Sequence, residues 1–480
     1  MLVVQRLAQQ LLSYLLALRK FAQNIAPTFS VYRFLADLHR PRVKSRLMVS
    51  DLPDEILYEI FQFATYIPES ESIVPLDPFL PKRVSANVMG PNTPTAVNRT
   101  KCTLVLVCSA WRRISMQLMY RHIYIRSPQR AELLLQLLRR DSDVPPFNTS
   151  EYGRFTRHIE VFTHARGSNN IHFFQTVFRI FQCCPNVRML SGTWSDPLPN
   201  AFCEAVSQLY GSSLEGLYWD GGGGPFMPTS WGGPFVPTSF FASFRTLRAL
   251  AIHKADLRNL PLDRHTLPLL QVLILTHSAE NLRLASLLDL PMLRDLVYMS
   301  DAMSAYASQD VFRDFLSVHG PSLRSIDCVP LPLDNPHFTP LHKPTEAFLN
   351  PQHCPNLDTF TFDARSLPFN LPPNCPVRVI GLRGIQAGDL YPNKTSNGAS
   401  HLKAFVGDAC PYLETVRAVE FLVESDSDSF IKDIFIWWTE KFERRGVDFQ
   451  DAEGVVWSYP DDDDDVDDVA EEIKLVAVGV

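Results

Sequence analysis

The chain has 480 residues, 46% of them hydrophobic and 20% charged, with a mean hydropathy of −0.04. That length exceeds what one hydrophobic core usually fills and implies two or more packing units, while the composition excludes a wholly disordered or fibrous protein. A net charge of −7 argues against broad, sequence-independent nucleic-acid binding, which depends on basic surface.

Residues 1–46 are expected to form a helical, basic N-terminal extension, and residues 1–50 hold eight Lys/Arg against one acid, Asp37. The stretch 1–26 is rich in Leu, Ala and Gln, free of acids and cut by Arg6, Arg19 and Lys20. Its apolar core is far too short for a bilayer, which takes about 20 apolar residues. Two readings stand: an amphipathic helix packed on the body, or an organelle-targeting presequence. No membrane span is expected anywhere in the chain.

A small helical domain is expected over 47–125. Ser50 or Asp51 suits a helix cap, Pro53 the first turn, and Asp54 and Glu55 the positive end of the helix dipole. Ile56, Leu57, Ile60, Phe61 and Ala64 then share one apolar face. Residues 67–99, with six prolines, read as a loop insert on the surface. A second helical stretch follows through Leu104, Val107, Cys108, Trp111, Ile114 and Leu118, and His122–Ile125 alternates like a short strand.

A different pattern governs 150–455. The phrase L-x-x-L, often L-x-x-L-x-L and commonly with Pro two residues ahead, recurs at Val187, Leu214, Leu247, Leu270, Leu293, Leu323, Leu357 and Leu413, with a weaker copy at Val377. Irregular spacing of such phrases is what loop-bearing leucine-rich repeats of about 20–29 residues show. Each phrase supplies one short strand whose apolar face needs a neighbour to bury it, so the units must stack. The segments 173–184, 202–210 and 311–319 are helix-capable and are expected to cover the outer side. The fold class expected is therefore α/β: a small helical unit followed by an irregular leucine-rich-repeat solenoid and a disordered acidic tail.

A nine-residue tandem duplication, Gly223–Trp231 and Gly232–Phe240, sits between two repeats and is dense in Gly and Pro, which makes it a loop. Residues 414–480 carry twenty Asp/Glu against six Lys/Arg, and the tail 456–480, with Asp461 to Asp465, is too self-repelling to pack. The acidic run around Ser425 and Ser427 is open to phosphorylation or a basic partner.

Nine cysteines form neither a CxxC pair nor an even framework, and several, such as Cys108 and Cys184, lie in or beside apolar runs where a thiol behaves as a small hydrophobe. This reads as a reducing, intracellular protein of the cytoplasm and/or nucleus. Catalytic constellations are not in evidence. The glycines at 221–224 are not followed by Gly-Lys-Ser/Thr, there is no G-x-S-x-G elbow, and Cys183-Cys184 and His353-Cys354 lack zinc-ligand spacing. No enzyme, no metal and no cofactor is expected.

The 47–125 unit resembles an F-box, most of all those of fungal (basidiomycete-like) proteins. The likeness rests on Leu52-Pro53-Asp54-Glu55-Ile56-Leu57-Tyr58-Glu59-Ile60-Phe61 and on Leu104-x-Leu106-Val107-Cys108-Ser109-Ala110-Trp111-Arg112-Arg113-Ile114. An F-box followed by irregular leucine-rich repeats is a familiar arrangement of that family. The resemblance implies a substrate-recognition adaptor of a cullin–RING ubiquitin ligase. The F-box would dock on a Skp-type adaptor subunit bound to the cullin scaffold, and the repeats would hold an unknown protein substrate. Carried over, Leu52, Pro53, Ile56, Leu57, Ile60, Leu106, Val107, Cys108 and Trp111 would form or brace the docking surface, with Trp111 also suited to internal packing. The insert 67–99 departs from the family, where the link between the two helices is short. Looped out, it leaves the helices free to pair, because lengthening a surface loop costs about 0.6 kcal/mol per doubling. The alternative is a protein-binding repeat scaffold outside any ligase, its F-box degenerate or occluded. Exposed positions of the strand phrases, such as Arg248, Arg294, Arg324 and Asp358, would line a concave surface.

Overall fold

The computed structural model describes residues 52–66, 72–75, 77–79, 94–140, 151–163, 167–168, 170–194, 198–220, 240–241, 243–253, 265–276, 278–300, 309–330, 343–391, 395–423 and 429–459. The extension 1–46, duplication residues 223–239 and the tail beyond Tyr459 lie outside them. The chain divides into two compact units, Met1–Leu57 and Tyr58–Val480.

Helix α1 (Asp54–Ala64) starts where Pro53 ends the extended chain, with Asp54 and Glu55 in its first turn, and runs through the unit boundary. In the second unit, α2 (Pro94–Val107) and α3 (Ser109–Arg121) are separated by a single extended residue, Cys108, whose φ of −159° breaks the helix. Its Sγ accepts the Trp111 backbone N–H at 3.4 Å, which caps α3. Cys108 is exposed, so its role is a helix cap and not the small core hydrophobe expected from the apolar run around it. The insert is also shorter than 67–99, because α2 already begins at Pro94.

From here strand and crossover alternate. The strands are β1 (His122–Ile125), β2 (His158–Phe162), β3 (Met189–Thr193), β4 (Gly216–Asp220), β5 (Ala249–His253), β6 (His265–Thr266) and β7 (Val272–Thr276). They continue as β8 (Leu288–Asp289), β9 (Asp295–Ser300), β10 (Ser325–Pro330), β11 (Thr359–Asp363), β12 (Val379–Arg383), β13 (Thr415–Ala418) and β14 (Asp448–Gln450). Twelve of them form one sheet, ordered β1-β2-β3-β4-β5-β7-β9-β10-β11-β12-β13-β14, and every neighbouring pair in it is parallel. β6 and β8 pair separately. Parallel neighbours require a crossover. Crossovers are supplied by α4 (Pro128–Arg140), α5 (Ile171–Cys183), α6 (Asn200–Tyr210), α7 (Ala279–Leu287), α8 (Gln309–His319), α9 (Lys343–Leu349), α10 (Asn397–Val406) and α11 (Ser429–Glu443). The result is a mixed α/β, solenoid-like unit whose strand order never reverses.

All nine repeat phrases lead into sheet strands, the first anchor two residues ahead of each strand and the second on it. Their first anchors, from Val187 through Leu413, and their second anchors, from Leu190 through Val416, are buried in one continuous core shared with the crossover helices. Burying one such side chain is worth about 1.5–3 kcal/mol, a term no single strand collects without its neighbours. The helix-capable segments 173–184, 202–210 and 311–319 are α5, α6 and α8, packed on that core. The sheet begins earlier than 150: β1, inside the stretch assigned to the helical domain, pairs with β2 from His122↔His158 onward.

The residue before each strand forms a second regular row. The Arg188 carbonyl accepts both the Glu215 and Gly216 N–H groups, and Arg248, Arg294 and Arg378 repeat this step toward the following turn. Arg248, Arg294, Arg324 and Asp358 therefore stack along the N-terminal edge of the strands and do not lie on the sheet face, contrary to their expected place. The two anchors of a phrase, three residues apart, both join the core, so simple in-out alternation does not hold through this position. Ion pairs tie the row together, among them Arg248–Glu215 at 3.8 Å and Arg378–Asp358 at 3.9 Å.

Candidate functional site

In the first unit, Pro53 is exposed and its carbonyl accepts the Leu57 N–H at 3.1 Å, which closes the first turn of α1. Leu52 and Ile56 are half-buried and Leu57 is buried. In the second unit, Ile60 is half-buried and Phe61 is buried. The Phe61 ring lies 4.7 Å from the half-buried Trp111 ring at 58°, so the two phrases of the motif meet through this pair. Val97, Leu104, Ile114 and Leu118 are buried beside them in the sequence of α2 and α3. Leu106, 75% exposed, and Val107 point to solvent at the end of α2, beside exposed Cys108. The expected docking residues thus separate into an exposed set (Pro53, Leu106, Val107, Cys108) and a packed set (Leu57, Trp111), with Leu52, Ile56 and Ile60 between. Phe63 and Tyr66 are also exposed and were not expected, because they lie off the apolar stripe that marks α1.

Alternate strand residues that do not join the main core occupy the opposite, open face of the sheet, which has three zones. At its start the His122 and His158 rings stack at 4.0 Å, and His158 Nε2 lies 2.8 Å from Ser191 Oγ. Burial, with the positive charges of Lys101 and Arg126 nearby, pushes His122 down to about 3, so its imidazole is neutral. Glu160 Oε2, 3.4 Å from His122 Nε2, does not offset this. In the middle, Ala249, Ala251, Val272 and Ile274 form a separate apolar cluster with Tyr218, Val297 and Met299. Toward the end the face is charged. Arg383 on β12 reaches past β11 to Asp327 on β10, with bonds of 2.7 and 2.9 Å, and to Glu420 at 3.3 Å. Arg417 on β13 donates to Gln450 Oε1 on β14 at 2.6 Å.

The insert crosses this same face. Ile73 and Val74 pack on the central apolar cluster, and Tyr218 Oη donates to the Ile73 carbonyl at 2.8 Å. Farther along, the Phe79 ring centroid lies 5.5 Å from the Arg417 guanidinium, which also donates to the Phe79 carbonyl. Asp77 accepts the Phe79 N–H at 2.9 Å and helps keep Arg417 charged against its burial. The expectation that 67–99 loops away into solvent is therefore corrected for residues 72–75 and 77–79. Apolar side chains that find a complementary sheet face are removed from water by lying on it. The sequence does carry a signal for this, since Ile73-Val74-Pro75-Leu76 and Phe79-Leu80 are apolar islands in the insert, as are Val88-Met89 and Ala96-Val97.

The arrangement offers apolar and charged zones to a binding partner. No three His, Cys, Asp or Glu side chains among them are placed to hold a metal. Cys183 and Cys184 are buried, and burial pushes the Cys184 thiol up to about 12, which makes it a poor nucleophile. No described helix is long and apolar enough to cross a membrane.

No family model matches the chain, and no curated protein matches it. Among solved structures it is similar to a protein from Bacteroides fragilis determined by a structural-genomics consortium, at 13% identity and a TM-score of 0.32, covering 70% of this chain and 75% of that one. A likeness that slight carries no argument about either fold or function.

Proposed function

We propose that the chain is the substrate-recognition subunit of an F-box-type cullin–RING ubiquitin ligase, with its sheet built from leucine-rich repeats. The observation that carries this reading is the pairing of the two motif phrases. Phe61 and Trp111, 50 residues apart, pack together while Leu106 and Val107 remain exposed beside them. Packed internal residues with a small exposed apolar patch are what a docking module for a partner helix needs. Through this module the chain would engage a Skp-type adaptor and, through it, the cullin scaffold. The open face of the sheet would hold the protein substrate. The chain itself performs no chemistry in this reading. It raises the effective concentration of the substrate at a catalytic centre carried by other subunits.

The test is a binding assay between the purified full chain and a purified Skp-type adaptor, with Pro53→Asp and Leu106→Asp as controls. Binding that both substitutions abolish supports the ligase reading. A folded chain that does not bind makes the protein a repeat scaffold whose function rests on the open face alone.

A further inference from the structure

Residues 72–75 and 77–79 lie on the open face as a ligand would. This segment crosses the strands from β4 to β13, so it gains no ladder hydrogen bonds and is held by side chains from several repeats. Two of these grip its backbone: Tyr218 at the Ile73 carbonyl and Arg417 at the Phe79 carbonyl. Carbonyl contacts of this kind are available to any peptide, whereas the side-chain contacts select. The aliphatic pair Ile73-Val74 meets the apolar cluster, and Phe79 lies beside Arg417 with Asp77 within electrostatic range of the same guanidinium.

The face is shaped to these side chains. A Cβ added at Gly216 would stand 3.3 Å from Ile73 Cγ2, and one at Gly381 would stand 3.0 Å from Phe79 Cζ while also crowding Thr361. Ile73, Val74 and Phe79 are each only half-buried, so the segment rests on the sheet and is not part of its core. It is also tethered at both ends in sequence, to α1 and to α2, which holds its local concentration near the face in the millimolar range.

We propose that the open face between β4 and β13 is a groove for an extended protein segment bearing an aliphatic pair, an acid three residues later and an aromatic two residues after that. Residues 72–75 and 77–79 are its built-in occupant, which a partner has to displace. This rests on the reading of the open face as the substrate surface and specifies what that surface takes. With the tethered segment at about 1 mM and a dissociation constant of its own for the groove of about 10–100 µM, any partner is weakened roughly 10- to 100-fold in the intact chain.

The experiment uses the full chain and a fluorescein-labelled peptide of residues 72–79, read by anisotropy. The chain carrying Ile73→Ser and Phe79→Ser binds the peptide at least about tenfold more tightly than the unsubstituted chain. Adding Met299→Glu to that variant removes the binding. Three results overturn the proposal: no binding by the released variant with its thermal unfolding unchanged, equal affinity for both chains, or indifference to Met299→Glu. If the double substitution unfolds the protein, Phe79→Ala alone, which leaves every side chain of the groove in place, removes fewer contacts and is read in the same way. Adaptor binding is measured separately. Peptide binding without adaptor binding keeps the groove and rejects the ligase reading, and the converse result rejects only the groove.

Discussion

The phenol of Tyr218 donates to the carbonyl of Ile73 at 2.8 Å, joining a repeat strand to a segment 145 residues earlier in the chain. Burial pushes this phenol up to about 12, so it remains a donor throughout the physiological range. A neutral hydrogen bond of this kind is worth about 1 kcal/mol net. Tyr218→Phe therefore raises the opening of residues 72–79 about fivefold while the global unfolding midpoint stays in place. Amide hydrogen exchange at Val74 measures this directly, and an unchanged exchange rate would show that the bond does not hold the segment down.

The N-terminal helices separate packing from presentation, and two substitutions test the separation. Phe61, buried against Trp111, loses about 3–5 kcal/mol of stability on replacement by Ala. Leu106, 75% exposed, changes stability by no more than about 0.5 kcal/mol on replacement by Asp, yet in the ligase reading it lowers adaptor affinity more than tenfold. Urea midpoints and adaptor binding together decide the matter. A Leu106→Asp chain that binds the adaptor normally removes this residue from the docking surface.

His122 makes stability depend on pH. Its folded pKa of about 3 lies below the 6.5 of an unperturbed imidazole, mainly because the ring is buried. Between those values the unfolded chain takes up a proton that the folded chain does not. The stability contribution is present in full above pH 6.5 and is lost as pH falls toward 3, by at most about 1.4 kcal/mol per pH unit. His122→Gln flattens the fall of the urea midpoint between pH 6.5 and 4.5. A variant with the same slope as the parent would mean that other groups carry the acid sensitivity.

Arg383 and Asp327 form a two-bond ion pair whose side chains are only 11% and 14% exposed. Removing one partner leaves the other charge poorly solvated, so Asp327→Ala costs about 3 kcal/mol, somewhat offset by Glu420. Replacing both, with Arg383→Met and Asp327→Leu, recovers most of that loss. Chemical denaturation of the three variants is the check, and equal losses in the single and double variants would show that the pair has no coupling of its own.

Much of the repeat unit was legible because its signal is local. Leu247-x-x-Leu250-x-Ile252 announces a strand by spacing alone, and its neighbours supply the reason for stacking. β1 is legible as an alternating stretch, but nothing local ties it to the repeat sheet, and β2 and β14 carry no signal because Ile159 and Phe449 bury as anchors without a full phrase around them. Arg248 and Arg294 stand at the strand edge because the anchors on either side of them, three residues apart, both face the core, a spacing that period-two alternation does not describe. The F-box likeness picks out the residues of the two motif phrases and suits Trp111 to internal packing, but only the tertiary structure leaves Leu106 exposed.

By itself the sequence determined the parallel α/β repeat, because each phrase has one apolar face that only a like neighbour can bury. It determined as well that two motif phrases flank an insert. Tertiary structure alone decided what lies on the open face. Ile73, Val74 and Phe79 have no periodicity to reveal them, and their partners, Tyr218 and Arg417, stand at least 145 residues away. Such contacts exist only once the strands have been laid side by side, since it is the assembled sheet and no single repeat that offers a surface for the segment to cover.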